Sequence, residues 1–209
     1  MISINFLLNL LVGVSVVAAG IPAGAPIDVP GGSLVETVSN AQMDVPNVPF
    51  YSQFYDIHAA KWQKLGCGIV SVAMLIEFYR PGIVSVDTLL KEGIDAGAFI
   101  NGAGWTHKGL ALLAQKYDLE GMSYDLSNLD KNAAFAQFER FLKEGPVIAS
   151  VYYKLEPTNP IPHLIVINGI NNGMVYYNDP ASASGGKNIS IQNFIKAWKK
   201  RFIVVRSSL

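Results

Sequence analysis

Lys64-Leu-Gly-Cys-Gly-Ile-Val-Ser-Val-Ala-Met-Leu-Ile-Glu-Phe-Tyr79 is the stretch whose reading decides the fold. It holds the only cysteine in 209 residues, Cys67, between Gly66 and Gly68 where a long apolar run begins. From Ile69 to Tyr79 nearly every position is apolar or small, interrupted by Ser71 and Glu77. That run is long for a strand, so a helix buried on most sides is predicted, with Cys67 in its first turn. There the unpaired backbone N–H groups and the positive end of the helix dipole stabilise a thiolate. A lone cysteine is more often just a small buried apolar residue. The flanking glycines, the helix-start position and the residues downstream argue for chemistry instead.

Half of the residues are apolar and 15% are charged, enough for one domain with a sizeable core. Sixteen basic and sixteen acidic side chains cancel, so no global field favours nucleic acid or an anionic membrane. One cysteine excludes an internal disulfide and a cysteine-based zinc cluster. The three histidines, His58, His107 and His163, lack H-E-x-x-H spacing, and no nucleotide-binding glycine motif is present. No cofactor and no metal are expected.

Residues 1–27 contain no Asp, Glu, Lys or Arg, and Phe6 to Ala19 is apolar apart from Asn9, Gly13 and Ser15. Small residues follow, Ala18-Ala19-Gly20, and then Pro22. Residues 1–20 therefore read as an export signal, or as an uncleaved N-terminal membrane anchor, although a basic n-region is missing. Five of the eleven prolines lie before residue 50, with Gly31-Gly32 among them, so 21–44 reads as an extended linker. The folded domain is expected to span 45–209.

Within it, helices are predicted over Val86–Ala96 (Leu89, Leu90 and Ile94 inward) and His107–Tyr117 (Leu110, Leu112, Leu113). A third covers Asp130–Glu144 (Phe135, Phe138, Phe141, Leu142), closed by Gly145-Pro146. From there the period becomes two, giving strands at Val147–Tyr153, His163–Ile170 and Met174–Asn178. A last amphipathic helix, Ile191–Lys200, and a strand, Phe202–Val205, complete an α+β pattern of helices followed by an antiparallel sheet.

A cysteine nucleophile needs a base within reach and a third group to orient that base. His163 opens one predicted strand and Asp179 ends the next. If Asn171-Asn172-Gly173 forms a three-residue loop, Ile170 faces Met174 and Asp179 lies opposite Ile165, on the same face as His163. A two-residue Asn172-Gly173 turn would shift the pairing by one and separate them. Asn178 is then the first alternative. Singly, His163 reads equally as a strand-edge histidine and Asp179-Pro180 as a turn dipeptide.

Taken together, Pro-Phe-Tyr-Ser-Gln53, Gly-Cys67-Gly, Ala-Met74, Gly-Pro-Val147, His163-Leu and Asn-Asp179-Pro resemble a papain-like cysteine peptidase. The branch is that of the bacteriocin-processing (double-glycine leader) peptidases, and the likeness spans residues 45–205. It implies a papain-like fold, with Cys67 as nucleophile, His163 as general base and acid, and Asp179 orienting His163. It also implies a glutamine upstream of the cysteine as oxyanion donor. Position 61, six residues before Cys67, is Lys61, so Gln53 is favoured, with Gln63 as the alternative.

Trp105 and His107, beside the N-cap candidate Thr106, are candidate substrate-binding residues, although such a pair is more often packing plus a helix-start histidine. His58, near Asp56, competes weakly with His163 as the base. Lys196, Lys199, Lys200 and Arg201 read as a solvated helix end. The expectation is an exported, extracytoplasmic thiol hydrolase, secreted or membrane-anchored, acting on a peptide or protein. The resemblance points to leader peptidases that act inside the cell, fused to an ATP-driven exporter. These residues carry no ATPase motif, so an extracytoplasmic substrate is expected instead. Two rivals remain: an inactive papain-like module that binds peptide or polymer, and an acyl or peptidyl transferase using the same triad.

Overall fold

A computed structural model describes residues 45–208. The expected export or anchor segment, 1–20, and the linker, 21–44, lie outside the described residues.

A short turn of helix, α1 (Ala60–Gln63), leads to α2 (Cys67–Tyr79), and α3 (Val86–Asp95) follows. Next come a two-stranded hairpin, β1 (Phe99–Ile100) and β2 (Gly104–Trp105), and α4 (His107–Gln115). The chain continues through β3 (Leu119–Asp125), α5 (Lys131–Lys143), β4 (Val147–Tyr152) and a 3-10 turn over Tyr153–Leu155. It ends with β5 (Pro162–Asn171), β6 (Met174–Asn178), β7 (Lys187–Ser190), α6 (Ile191–Ala197) and β8 (Trp198–Ser207). Six strands form one antiparallel sheet in the order β3-β8-β4-β5-β6-β7.

Both faces of that sheet are covered. Leu164 and Val166 of β5, Ile148 of β4 and Ile203 and Val205 of β8 face α2, α3 and α4. The alternate residues, Ile165, Ile167, Ala149 and Phe202, pack with Phe135, Phe138 and Phe194 of α5 and α6. This is the period of two expected of buried strands. Helix α2 is buried from Gly68 to Ile76, and its one internal hydroxyl, Ser71, donates to the Leu164 carbonyl at 3.4 Å. That bond fastens the cysteine helix to the strand bearing His163. Asp130 caps α5 by accepting from the N–H groups of Asn132 and Ala133.

Several expectations need correction. Ile94 and Leu112 are exposed, because the buried stripes of α3 and α4 are narrower than the apolar pattern. The last helix stops at Ala197, and the final strand is ten residues long. Trp198 packs against Phe138 and Phe194, a left-handed Lys200 (φ 58°) turns the chain, and the β4–β8 register shifts between Ser150 and Val151. Of the basic residues, Lys196 stays in the last turn of α6 and the other three belong to β8: Lys200 donates to the Ser127 and Leu129 carbonyls, and Arg201 to Asp125. Strands β1, β2, β3 and β7 were not anticipated. The sequence of β3, Leu-Glu-Gly-Met-Ser-Tyr-Asp, carries little β-branched signal and pairs only with β8.

The hairpin between β5 and β6 corrects the most consequential expectation. Asn171 pairs with Met174, so the turn is the two-residue Asn172-Gly173. Both residues have positive φ (48° and 74°), as in a type I′ turn. Such a turn would by itself have put His163 and Asp179 on opposite faces. A β-bulge intervenes: the pairing shifts between Ile167 and Gly169, leaving Asn168 as the extra residue. Beyond it Val166 pairs with Asn178, which brings Asp179 opposite Ile165 after all.

Phe138 is fully buried among Phe135, Phe194, Trp198 and Phe202. Phe138→Ala should lower the unfolding free energy by about 3–5 kcal/mol, read as a reduced midpoint in a denaturant titration.

Candidate active site

Cys67 is the first residue of α2, and two contacts explain the glycines around it. A Cβ on Gly68 would lie 2.8 Å from Leu110 Cδ1 and 3.2 Å from Trp105, so a side chain there would push on Leu110 and the indole. A Cβ on Gly66 would lie 2.1 Å from Ile57 Cδ1 and 3.5 Å from Gln53 Cβ. The tight approach of Gly66 therefore sets Gln53 beside the cysteine turn.

His163 is the second residue of β5 and is buried. Its Nε2 lies 2.6 Å from Asp179 Oδ1, which also accepts from the Ala181 N–H at 2.8 Å. Cys67 and His163 line one cleft of about 390 Å³, together with Trp105, His107, Ser150 and Ile161. Burial alone would lower the imidazole pKa. Hydrogen bonding to Asp179 and the nearby Cys67 outweigh it, and the pKa rises to about 9. For Asp179, burial pushes the carboxyl up, but the bonds from His163 and Ala181 hold it below its usual value. With Nε2 committed to the carboxylate, the other ring nitrogen is left for the thiol.

The segment before α1 is strapped to the loop after β6. The Gln53 N–H donates to the Pro180 carbonyl at 2.8 Å, and Asn178 Nδ2 donates to the Val48 carbonyl at 2.9 Å. Gln53 is buried, and its Nε2 donates to the Gln63 carbonyl at 2.7 Å. Gln63 turns its own amide to the Phe54 and Ile57 carbonyls and pins the loop; neither Gln53 nor Gln63 is among the residues lining the cleft. The buried Asn178 is likewise occupied, accepting from the Gly186 N–H.

Trp105 and His107 both reach the cleft. The Trp105 indole donates to the Leu65 carbonyl at 2.7 Å and packs with Trp62 and Phe99, so it is a wall fixed in place. His58 does not reach the cleft. It is exposed, and its partner is Asp87 of α3 rather than Asp56, in a separate hollow. Tyr153 was not foreseen: its ring stands edge-on to His163, with centroids 5.2 Å apart. Ser150 was also missed. Neither carries a local sequence signal, because each reaches the site through cross-strand neighbours.

A thiol, an imidazole and a carboxylate in sequence, beside a buried amide, can form and hydrolyse an acyl-thioester. A sequence profile of the Peptidase_C39-like family matches residues 45–202. The chain belongs to the Peptidase_C39-like family. It is a cysteine peptidase, and its mixed helical and antiparallel architecture is that of the papain-like peptidase domains. Among solved structures it is similar to a putative C39-like peptidase from Bacillus anthracis (19% identity, TM-score 0.56), covering 78% of this chain and 96% of that one. It is also similar to a double glycine motif protease from an AMS/PCAT transporter in complex with the leader peptide. There the identity is 23% and the TM-score 0.52, with 78% of this chain and 93% of the other covered. No curated protein matched the sequence.

The imidazole of His163 in this C39-like peptidase should titrate near pH 9 when followed by NMR. Asp179→Asn should move that titration to lower pH and pull the alkaline limb of kcat/KM down with it. The His163 contribution is fully present below the unfolded pKa of about 6.5 and is lost as pH rises through about 9. Chemical denaturation at pH 6 and pH 10 should show wild type losing more stability than Asp179→Asn.

Proposed function

We propose that this peptidase cleaves a peptide or protein through an acyl-enzyme on Cys67, with His163 as base and acid and Asp179 orienting it. The observation that carries the reading is that His163, held by Asp179 at 2.6 Å, lines one cleft with Cys67. The Cys67 thiolate attacks the scissile carbonyl carbon, and negative charge develops on its oxygen. The Cys67 backbone N–H and a Gln53 Nε2 proton stabilise that oxyanion, while the other Nε2 proton is held by the Gln63 carbonyl. Protonated His163 gives its proton to the leaving amine. It then takes one from the attacking water, and the thioester opens to a carboxylate. This chemistry uses no cofactor. That the substrate is a peptide lying in the cleft is supported by the related transporter protease, whose structure contains a leader peptide.

Cys67→Ala should abolish hydrolysis of a peptide library while leaving thermal melting unchanged, and wild-type turnover in that variant would refute the assignment. Gln53→Ala should lower kcat by about 10²–10³, the usual cost of one oxyanion donor, and Gln63→Ala by much less. The reverse order would move the role to Gln63. Added amine acceptors, with products read by mass spectrometry, separate hydrolysis from transfer.

The place of action proposed is extracytoplasmic, with residues 1–20 as export signal or anchor. The support is the uncharged, apolar character of residues 1–27. Cell fractionation of the full chain should recover it outside the cytoplasm, and deletion of residues 1–20 should return it to the cytosol. A chain beginning near Asp44 should be soluble, melt cooperatively and keep its activity. Loss of cooperativity would make the N-terminal run part of the core.

A further inference from the structure

The His163–Asp179 pair stands between two hollows in the surface. His163 lines the cleft of about 390 Å³ that it shares with Cys67. Asp179 lines a second hollow, of about 320 Å³, together with Tyr153, Lys154 and Lys187. Water can approach the bond between them from either side, yet the imidazole is only 4% exposed and the carboxylate 14%. A hydrogen bond between such groups is strong only while water is kept from competing for it. Tyr153 lines the second hollow and also packs on the imidazole, with ring centroids 5.2 Å apart and planes at 86°.

The sheet register explains the meeting. Val151 pairs with His163, and beyond the last strand pair the Tyr153 N–H still donates to the Ile161 carbonyl at 3.0 Å. Side chains alternate, so Val151, Tyr153 and His163 share a face, and Tyr153 is the diagonal neighbour of His163 from the β4 side. Asp179, opposite Ile165, is its diagonal neighbour from the β6 side. The imidazole is held between a carboxylate and an aromatic ring.

This ring is not ordinary core packing. Tyr153 belongs to neither apolar cluster of the domain, and it does not line the cleft where substrate would lie. The two residues after it, Lys154 and Leu155, both adopt left-handed backbone (φ 59° and 58°), which bulky residues avoid. Such strain persists only where the surroundings fix it, and Leu155 is fixed by packing on the α5 and α6 side of the sheet. The turn therefore sets the ring of Tyr153 in one place.

We propose that Tyr153 is a positioning residue, whose ring locks the His163 imidazole in the one orientation that serves Asp179 and Cys67 together and keeps water from the His163–Asp179 bond. It rests on the catalytic reading of His163 given above and deepens it. A half-turn of the imidazole about its Cβ–Cγ bond would put ring carbons where the two nitrogens stand, and both partners would be lost. The ring of Tyr153 blocks that turn.

The charged and titratable groups around the pair are Cys67 of α2, Lys154 in the turn, Lys187 of β7, and Lys64 and His107 across the cleft. Replacing Tyr153 with Phe, Ala or Gln leaves all of them in place. Burial lowers the His163 pKa, but Asp179 and Cys67 outweigh it and hold the value at about 9. Hydration or misorientation weakens every one of these influences, so the value relaxes down toward the ordinary 6.5.

The test uses the full-length protein and follows His163 by NMR beside turnover of a library peptide that the wild type cleaves. Tyr153→Ala should lower kcat roughly 10- to 100-fold with KM unchanged, as misplacement of a reacting group does. Its His163 titration should shift to lower pH, and the low-field Nε2–H line at pH 7 should broaden through exchange with water. Tyr153→Phe keeps the ring and should match wild type in all three readings. Tyr153→Gln keeps length but admits water, and should behave as the alanine variant, which covers the case in which Tyr153→Ala does not fold. Melting curves verify the fold of each variant. The proposal is overturned if Tyr153→Ala and Tyr153→Gln keep the wild-type kcat or the wild-type titration. It is equally overturned if KM rises with kcat unchanged, or if Tyr153→Phe loses as much as the other two. If the titration and the low-field line respond as expected while the wild type cleaves no peptide, the positioning stands and the catalytic reading of the triad is what fails.

Discussion

The packing of α2 onto β5 is the constraint on which the rest of the molecule depends. Nine consecutive residues of the helix are buried, so it cannot rotate or slide without exposing large aliphatic side chains. Each fully buried Ile, Leu or Val is worth about 1.5–3 kcal/mol, and a slip of one residue would forfeit several of them. Ser71 adds direction, since its hydroxyl has a single buried acceptor on β5, the carbonyl next to His163. The position of the helix start is thus set by apolar packing farther along the helix. Cys67 is placed by Ile69, Val72 and Leu75 as much as by its own turn.

Much of this was legible in the sequence because it rests on local rules. The long apolar run read as a buried helix, and the phenylalanine stripe closed by Gly145-Pro146 read as α5. The alternating segments from Val147 to Asn178 read as strands. The three residues with nucleophilic, basic and acidic chemistry could be picked out by their places at element ends. What could not be read is what depends on neighbours distant in sequence. Strand β3 is held by pairing with β8 more than by its own composition. Ser150 enters the cleft only through the sheet register, and Tyr153 meets the His163 ring from the turn after β4.

The β5–β6 hairpin illustrates the difference. From the sequence, a three-residue loop was the condition for placing Asp179 on the histidine face. The chain adopts the tighter turn, which Asn-Gly favours strongly, and then inserts Asn168 as a bulge. The two departures cancel, so the right pairing was reached through the wrong loop. A signal was available: Gly169 interrupts an otherwise apolar strand, and a glycine inside a strand often marks a bulge. Its effect on register is not encoded locally, because a bulge and a loop residue both change the pairing by one.

The strap between residues 48–53 and 178–180 has a consequence for how activity fails. Its hydrogen bonds, among them Gln53 to Pro180 and Asn178 to Val48, act together with the packing of Val48, Phe50 and Tyr51 on the core. Any local opening of this segment costs at most the free energy of global unfolding. Gln53 sits on one side of the strap and Asp179 on the other, so one local opening releases both while α2 and the sheet stay intact. Amide exchange over residues 48–53 then reports the competent fraction of enzyme more closely than a melting temperature does. A molecule opened in this way is still folded by spectroscopy but has lost two of the groups proposed to act in the cleft.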